Sequence, residues 1–202
     1  MTSFKIGIFV FPDVEVLDFA GPYEVFTTAS RVHARMYPAA PLPFEVVTIA
    51  QHALPIRARA GLIVFADYTI ASHLPIDLLI IPGGVVTEEL NKPAVIAWLA
   101  AMAAQTRITA SICTGAFLLA KAGLLNNKRV TTHWEDIADL RRDFPALQVI
   151  DNARWVDEGE IATSGGISAG IDMSLHLVER LAGHELALKT ARQMDYRWEE
   201  NN

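Results

Sequence analysis

Cys113 is the only cysteine in the chain, and it stands between Ser111 and Gly115 in SICTG. A small residue two places before and two places after a nucleophile is the spacing of a sharp strand-to-helix elbow, which only small neighbours tolerate. Free cysteine is also among the most buried residue types, so plain packing is the competing reading. The spacing favours chemistry. At such an elbow the thiol meets the positive end of a helix starting at Thr114, which is expected to favour the thiolate, with the Thr114 amide pointing at whatever the sulfur attacks. The IPGG stretch, Ile81 to Gly84, ends a preceding apolar run. Its Gly83 and Gly84 are expected to bring a second backbone N–H close to a ligand, completing an oxyanion-type hole.

Asp18 lies in VLDFAGPYEVF, read as an apolar strand end just before Gly21 and Pro22 open a helix. A turn or helix-capping aspartate is the ordinary reading. A first strand near the middle of a parallel sheet would instead deliver Asp18 to the crevice that holds Cys113, where a carboxyl can shuttle a proton. His133, in TTHW, follows a short strand and is read first as a capping or packing histidine that shapes the site, with entry into the pocket as the alternative. Gly165 and Gly166 allow a helix start to pack closely against the elbow and could touch the pocket. Trp134, Phe19 and Tyr23 suit an apolar substrate wall or the core equally, and Asp172 reads as an early-helix carboxylate. The remaining histidines, His33, His52, His73, His176 and His184, have no metal-ligand spacing, so neither metal nor cofactor is expected.

These residues need a scaffold that gathers strand ends. FKIGIFVF, FEVVTIA, DLLIIP and RITASI read as strands, the last two as continuous apolar runs of the buried parallel kind. GPYEVFTTASRVHARMY, PAVIAWLAAMAAQ opened by Pro93, the helix after Cys113 and WEDIADLRRDF read as the intervening helices. A polar, hairpin-like region runs to Ala66. RVTTH, QVI, ARWVD and EIATS read as further strands, and ISAGIDMSLHLVERLAG and HELALKTARQMDYRWEE as closing helices. The alternation predicts an α/β flavodoxin-like sandwich, a mostly parallel central sheet with helices on both faces and ligands at the carboxyl ends of its strands.

The 202 residues suit one domain over 1–202 and are half hydrophobic, ample for a core without disulfide or structural metal. One cysteine forms no intrachain bridge, and the amino-terminal stretch has no signal-peptide cleavage pattern, so a cytoplasmic protein is expected. Apolar runs fall short of the roughly 20 residues that span a bilayer. A formal charge of −6 with scattered basic residues argues against nucleic acid as a partner.

The ordered set LDFAGPYEVF, IPGG, CTGAFLLAKAGLL, TTHW and ATSGGISAGIDMSLHLVERLAG resembles the ThiJ/PfpI, or class I glutamine amidotransferase-like, superfamily over nearly the whole chain. Within it the chain looks most like the isonitrile hydratases, whose aspartate and Cys-Thr pair match Asp18, Cys113 and Thr114. That resemblance implies hydration of an isocyanide to an N-substituted formamide, without cofactor, in a homodimer. Thr114 departs from the histidine that the superfamily's proteases and many glyoxalase-like members carry after the nucleophile, which removes support for those activities. The same blocks occur in the sensor half of AraC-type regulators. A chain ending at Asn202 has no room for a helix-turn-helix, which leaves a stand-alone sensor or a redox-sensing thiol protein as alternatives.

Overall fold

The computed structural model describes residues 3–200. Its strands are β1 (Phe4–Phe9), β2 (Phe44–Ala50), β3 (Ile56–Arg57), β4 (Ile63–Val64), β5 (Tyr68–Thr69), β6 (Leu78–Ile81), β7 (Ile108–Ile112), β8 (Arg129–Val130), β9 (Gln148–Val149), β10 (Trp155–Asp157) and β11 (Ile161–Ser164). The helices are α1 (Val16–Met36), α2 (Thr87–Leu90), α3 (Pro93–Ala103), α4 (Gly115–Lys121), α5 (Ile137–Asp143), α6 (Ala169–Ala182) and α7 (His184–Gln193). Seven strands form one sheet in the order β10-β11-β7-β6-β1-β2-β5. Every pair in it is parallel except β10 with β11. This is the flavodoxin-like α/β architecture.

The alternation of a strand sends successive side chains to opposite faces, and here both faces are dry. Leu78 and Ile80 join Ile6 and Ile8 beneath α1, α6 and α7, while Leu79 and Ile81 join Phe9 and Ile49 beneath α3 and α4. A fully apolar LLII run follows directly from that double burial. Gly7 leaves room on the second face, where an added Cβ would lie 2.9 Å from the Ile49 side chain.

Three expectations need correction. Helix α1 begins at Val16, not at Gly21, so Asp18 sits in the first helical turn and Pro22 is inside the helix. Proline cannot donate to the carbonyl four residues back, so the Asp18 carbonyl lacks its helical partner. Gly21 serves close packing, since a Cβ there would meet the Ile171 side chain at 3.0 Å. Pairing in RVTTH stops at Val130, beyond which Thr131 donates its N–H to the Thr163 hydroxyl at 2.9 Å. The last helix ends at Gln193, and the following segment folds back onto Asp172. That carboxylate, 0 % exposed, accepts hydrogen bonds from the Arg154 guanidinium, the Tyr196 hydroxyl and the Glu199 N–H.

Candidate active site

Cys113 occupies the turn between β7 and α4 with φ 55°, the left-handed region that a side chain with a Cβ adopts at a cost. Two long-range bonds hold it there. Its N–H donates to the Ser164 carbonyl at 3.1 Å, and its carbonyl accepts the Thr132 hydroxyl at 2.8 Å. Gly115 is small by necessity, because a Cβ would sit 2.1 Å from the Ile81 carbonyl oxygen. The elbow is therefore pressed against the end of β6, where Gly83 also leaves no space: its Cβ would lie 2.6 Å from the Thr114 nitrogen.

Asp18 reaches the same place from α1. The Glu15 N–H donates to the Gly83 carbonyl at 2.9 Å and the Val85 N–H to the Asp13 carbonyl at 3.1 Å, tying the glycine loop to the start of α1. Asp18 is 0 % exposed. One carboxyl oxygen accepts the Gly83 N–H at 3.0 Å, and the other is buried without a hydrogen-bond partner. Burial raises its pKa from 3.8 to about 7, against the pull of Gly83 and of the neighbouring Cys113 thiol. Burial and the Asp18 charge push the Cys113 thiol up to about 12, only partly offset by hydrogen bonding to Thr114.

The resting thiol is thus protonated, contrary to the expected thiolate. Helix α4 is only seven residues long, and its field at the elbow does not overcome desolvation and an adjacent carboxyl. The expected oxyanion-type hole also changes. Gly83 gives its N–H to Asp18, and Gly84 gives its N–H to the Thr114 hydroxyl at 2.9 Å, which in turn donates to the Gly84 carbonyl. Neither glycine amide is free for a ligand, and the Thr114 hydroxyl is committed to Gly84.

A cavity of about 450 Å³ opens at the thiol, lined by Cys113, Thr114, Gly84 and His133 among others. His133 both precedes the short turn at Trp134–Asp136 and enters this cavity, with Nδ1 buried and unpartnered and Nε2 3.5 Å from Glu135. Gly166 closes against the sulfur: a Cβ there would lie 2.6 Å from Sγ. Gly165 is not at the thiol; it lines a separate cavity with Arg154 and Ala169. Trp134 is 75 % exposed and borders that second cavity, while Phe19 is half-buried and packs against the core. Tyr23 is exposed, and neither it nor Phe19 lines the thiol cavity. The acidic side of that cavity, Glu15, Glu135, Asp136, Asp139 and Asp143, is not among the residues singled out from the sequence, where its one signal is the spacing of the three aspartates on one helical face. Among the described residues no three His, Cys, Asp or Glu side chains converge to hold a metal ion, and no helix is long and apolar enough to cross a membrane.

Comparison with known proteins places the chain in a family. The chain is 33 % identical over 195 residues to the isonitrile hydratase of Pseudomonas putida, covering 96 % of this chain and 79 % of that one. It is 29 % identical over 182 residues to the transcriptional regulator CdhR of Pseudomonas aeruginosa, 90 % of this chain but about half the length of the regulator (52 %). The fold superposes on a ThiJ/PfpI family protein from Pseudomonas syringae with a TM-score of 0.85 at 24 % identity, over 100 % of this chain and 78 % of that one. On Drosophila melanogaster DJ-1beta the score is 0.81 at 19 % identity, over 98 % and 100 % of the two chains. The DJ-1/PfpI family pattern runs through residues 4–180, from the first strand to the sixth helix, and with the shared architecture this makes the chain a member of the DJ-1/PfpI family.

Proposed function

We propose that the protein is an isonitrile hydratase, adding water to an isocyanide to give an N-substituted formamide. The observation that carries this reading is a fully buried Asp18 carboxyl, titrating near 7, beside the Cys113 thiol at a strained elbow. Isocyanide carbon accepts both a proton and a nucleophile, so one carboxyl and one thiol suffice. Ionised Asp18 takes the thiol proton and passes it to the carbon as sulfur attacks, forming R–N=CH–S–Cys113. A water molecule then adds to the same carbon: Asp18 takes one of its protons and delivers it to the nitrogen, giving R–NH–CH(OH)–S–Cys113, which collapses to R–NH–CHO as the C–S bond breaks and the hydroxyl proton passes by way of Asp18 to the sulfur.

The occupied glycine amides favour this chemistry over acyl transfer. Peptide hydrolysis needs free donors for an oxyanion from its first step, whereas addition to isocyanide carbon develops none there. Thr114 and Gly84 lock the glycine loop, and His133 and Gly166 shape the pocket around the incoming carbon. Pairing of two copies belongs to the same reading. It is supported by the β3–β4 hairpin, which leaves Leu62, Ile63 and Phe65 exposed, and sedimentation velocity measures the mass.

The test counts formamide per subunit after incubation with excess cyclohexyl isocyanide and substituted phenyl isocyanides. Many equivalents are expected from the wild type and none above background from Cys113→Ala. The likeness to CdhR favours a second reading, a ligand-binding module. Stoichiometric binding with thermal stabilisation and no product across all the isocyanides would establish it in place of the hydratase.

A further inference from the structure

We infer that a second site, separate from the thiol, takes a single six-membered ring bearing one hydroxyl, of the phenol or cyclohexanol kind, with Glu89 as the acceptor for that hydroxyl. A cavity of about 140 Å³ lies beyond the carboxyl ends of β1 and β2, walled by Val10, Phe11, Ala50, Ile56, Glu89 and Lys92 among others. The carboxyl ends of parallel strands are where this architecture gathers ligands. The cavity shares no lining residue with the one at Cys113, and the hydratase reading makes no use of it.

Glu89 is the one carboxylate in its wall, and it is 1 % exposed. A carboxylate is tolerated in such a place when it is paired and its oxygens are hydrogen-bonded, and here only one of them is. Oε1 accepts the Lys92 ammonium at 2.5 Å. Oε2 is buried with no hydrogen-bond partner, although Gln51 and His52 line the same cavity. A structural task does not account for this arrangement. Lys92 stands three residues further along the same segment, so the pair ties α2 to neither β1 nor β2, and such a pair forms equally well on an exposed helix surface. What burial adds is an acceptor with unused capacity in the wall of an apolar space.

Charge and size then select the ligand. Lys92 already balances Glu89, so a neutral donor suits the free oxygen better than a second cation, which would sit beside the Lys92 ammonium. An apolar cavity of about 150 Å³ holds one benzene ring, which matches the volume here. Val10, Phe11, Ala50 and Ile56 are all buried and supply apolar contact for such a ring, while Leu54, exposed and in the same lining, marks the opening to solvent. A ring with one hydroxyl meets both demands, and the bare hydrocarbon or an alkylammonium ion meets only one.

The experiment titrates phenol and toluene, which differ by a hydroxyl in place of a methyl, into wild-type protein labelled at its Ala, Ile and Val methyl groups and followed by NMR. Phenol is expected to shift the methyls of Val10, Ala50 and Ile56 saturably, to leave Ala116 behind the thiol unmoved, and to bind about tenfold more tightly than toluene. Glu89→Leu keeps the bulk of the side chain and removes the acceptor; Lys92, 31 % exposed at its side chain, then turns to water. In that variant the ratio of toluene Kd to phenol Kd is expected to fall to one or below. No saturable shift at the three methyls overturns the inference, as do phenol shifts centred on Ala116, toluene binding as tight as phenol in the wild type, and a phenol preference that survives Glu89→Leu. Should that variant fail to fold, the phenol–toluene ratio and the methyl map of the wild type decide alone.

Discussion

Asp18 is the residue whose environment makes the sharpest predictions. The reactive ionisation state holds one proton between Asp18 and Cys113, because an ionised carboxyl must accept the thiol proton. As pH falls through about 7, Asp18 takes a proton of its own and cannot accept another. Initial rates of formamide production across pH should therefore show kcat/KM dropping on the acid side of about 7. Asp18→Asn should lose catalysis altogether; undiminished turnover would assign the proton to another group, with His133 the first to test. The same carboxyl affects folding in the opposite sense to a salt-bridged aspartate. Between its ordinary value of 3.8 and about 7 the folded protein holds a proton that the unfolded chain has released, so stability falls as pH rises through that window. Asp18→Asn keeps an acceptor for the Gly83 N–H and removes the charge. Thermal unfolding should find it more stable than wild type above pH 7, by roughly 1 to 3 kcal/mol, with the gap closing towards pH 4. Alkylation supplies an independent check. A thiol titrating near 12 and 7 % exposed should react with iodoacetamide more slowly than free cysteine at neutral pH, and faster once Asp18→Asn removes the neighbouring charge.

At the scale of elements, the turn between β11 and α6 distinguishes two adjacent glycines that read alike in the sequence. An alanine Cβ at position 166 would lie 2.6 Å from the thiol, whereas at position 165 the nearest atom is 3.6 Å away. Gly166→Ala should cost at least about tenfold in kcat/KM, and Gly165→Ala should stay within about twofold, measured side by side with unfolding curves. Equal effects would show that the glycine wall does not control the sulfur. The elements that position the site were largely legible, because buried parallel strands and a small-flanked elbow leave local marks in LLII and SICTG. The start of α1 was not: Gly21 and Pro22 imitate a helix opening, and only contact with Ile171 reveals what the glycine is for. Nor was the fate of the glycine amides. Their donors are consumed by Asp18 and Thr114, respectively 65 and 30 residues away in sequence, pairings that no local pattern records. The electrostatics of the thiol were misread for a related reason, since burial is a property of the assembled sheet and overrode the short helix behind the cysteine.

Across the whole molecule, Asp172 is the point where the segment after α7 is fastened to the middle of the fold. It joins Arg154 beside β10, the first turn of α6, and the segment carrying Tyr196 and Glu199, while its own carbonyl accepts the Trp198 indole N–H at 3.2 Å. Removing one member of a buried, charged set strands the rest. Asp172→Ala should lower unfolding stability by about 3 kcal/mol and loosen the tail, read by hydrogen exchange over residues 195–200 and by a shift in tryptophan emission. Because Arg154 also accepts the Gly165 N–H at 2.9 Å through its backbone carbonyl, some loosening should reach the glycine turn. Unchanged exchange in both segments would show that the tail is held by its apolar contacts alone.

The backbone of Cys113 leads to a different kind of consequence. A residue with a Cβ held at φ 55° is poorer for stability than glycine would be, by about 1 kcal/mol, and a buried ionisable Asp18 is poorer than asparagine. Cys113→Gly should therefore unfold at a higher temperature than Cys113→Ala. In laboratory evolution rewarded for heat resistance alone, substitutions at positions 18 and 113 should be among the early winners, and heat-hardened descendants should be the inactive ones.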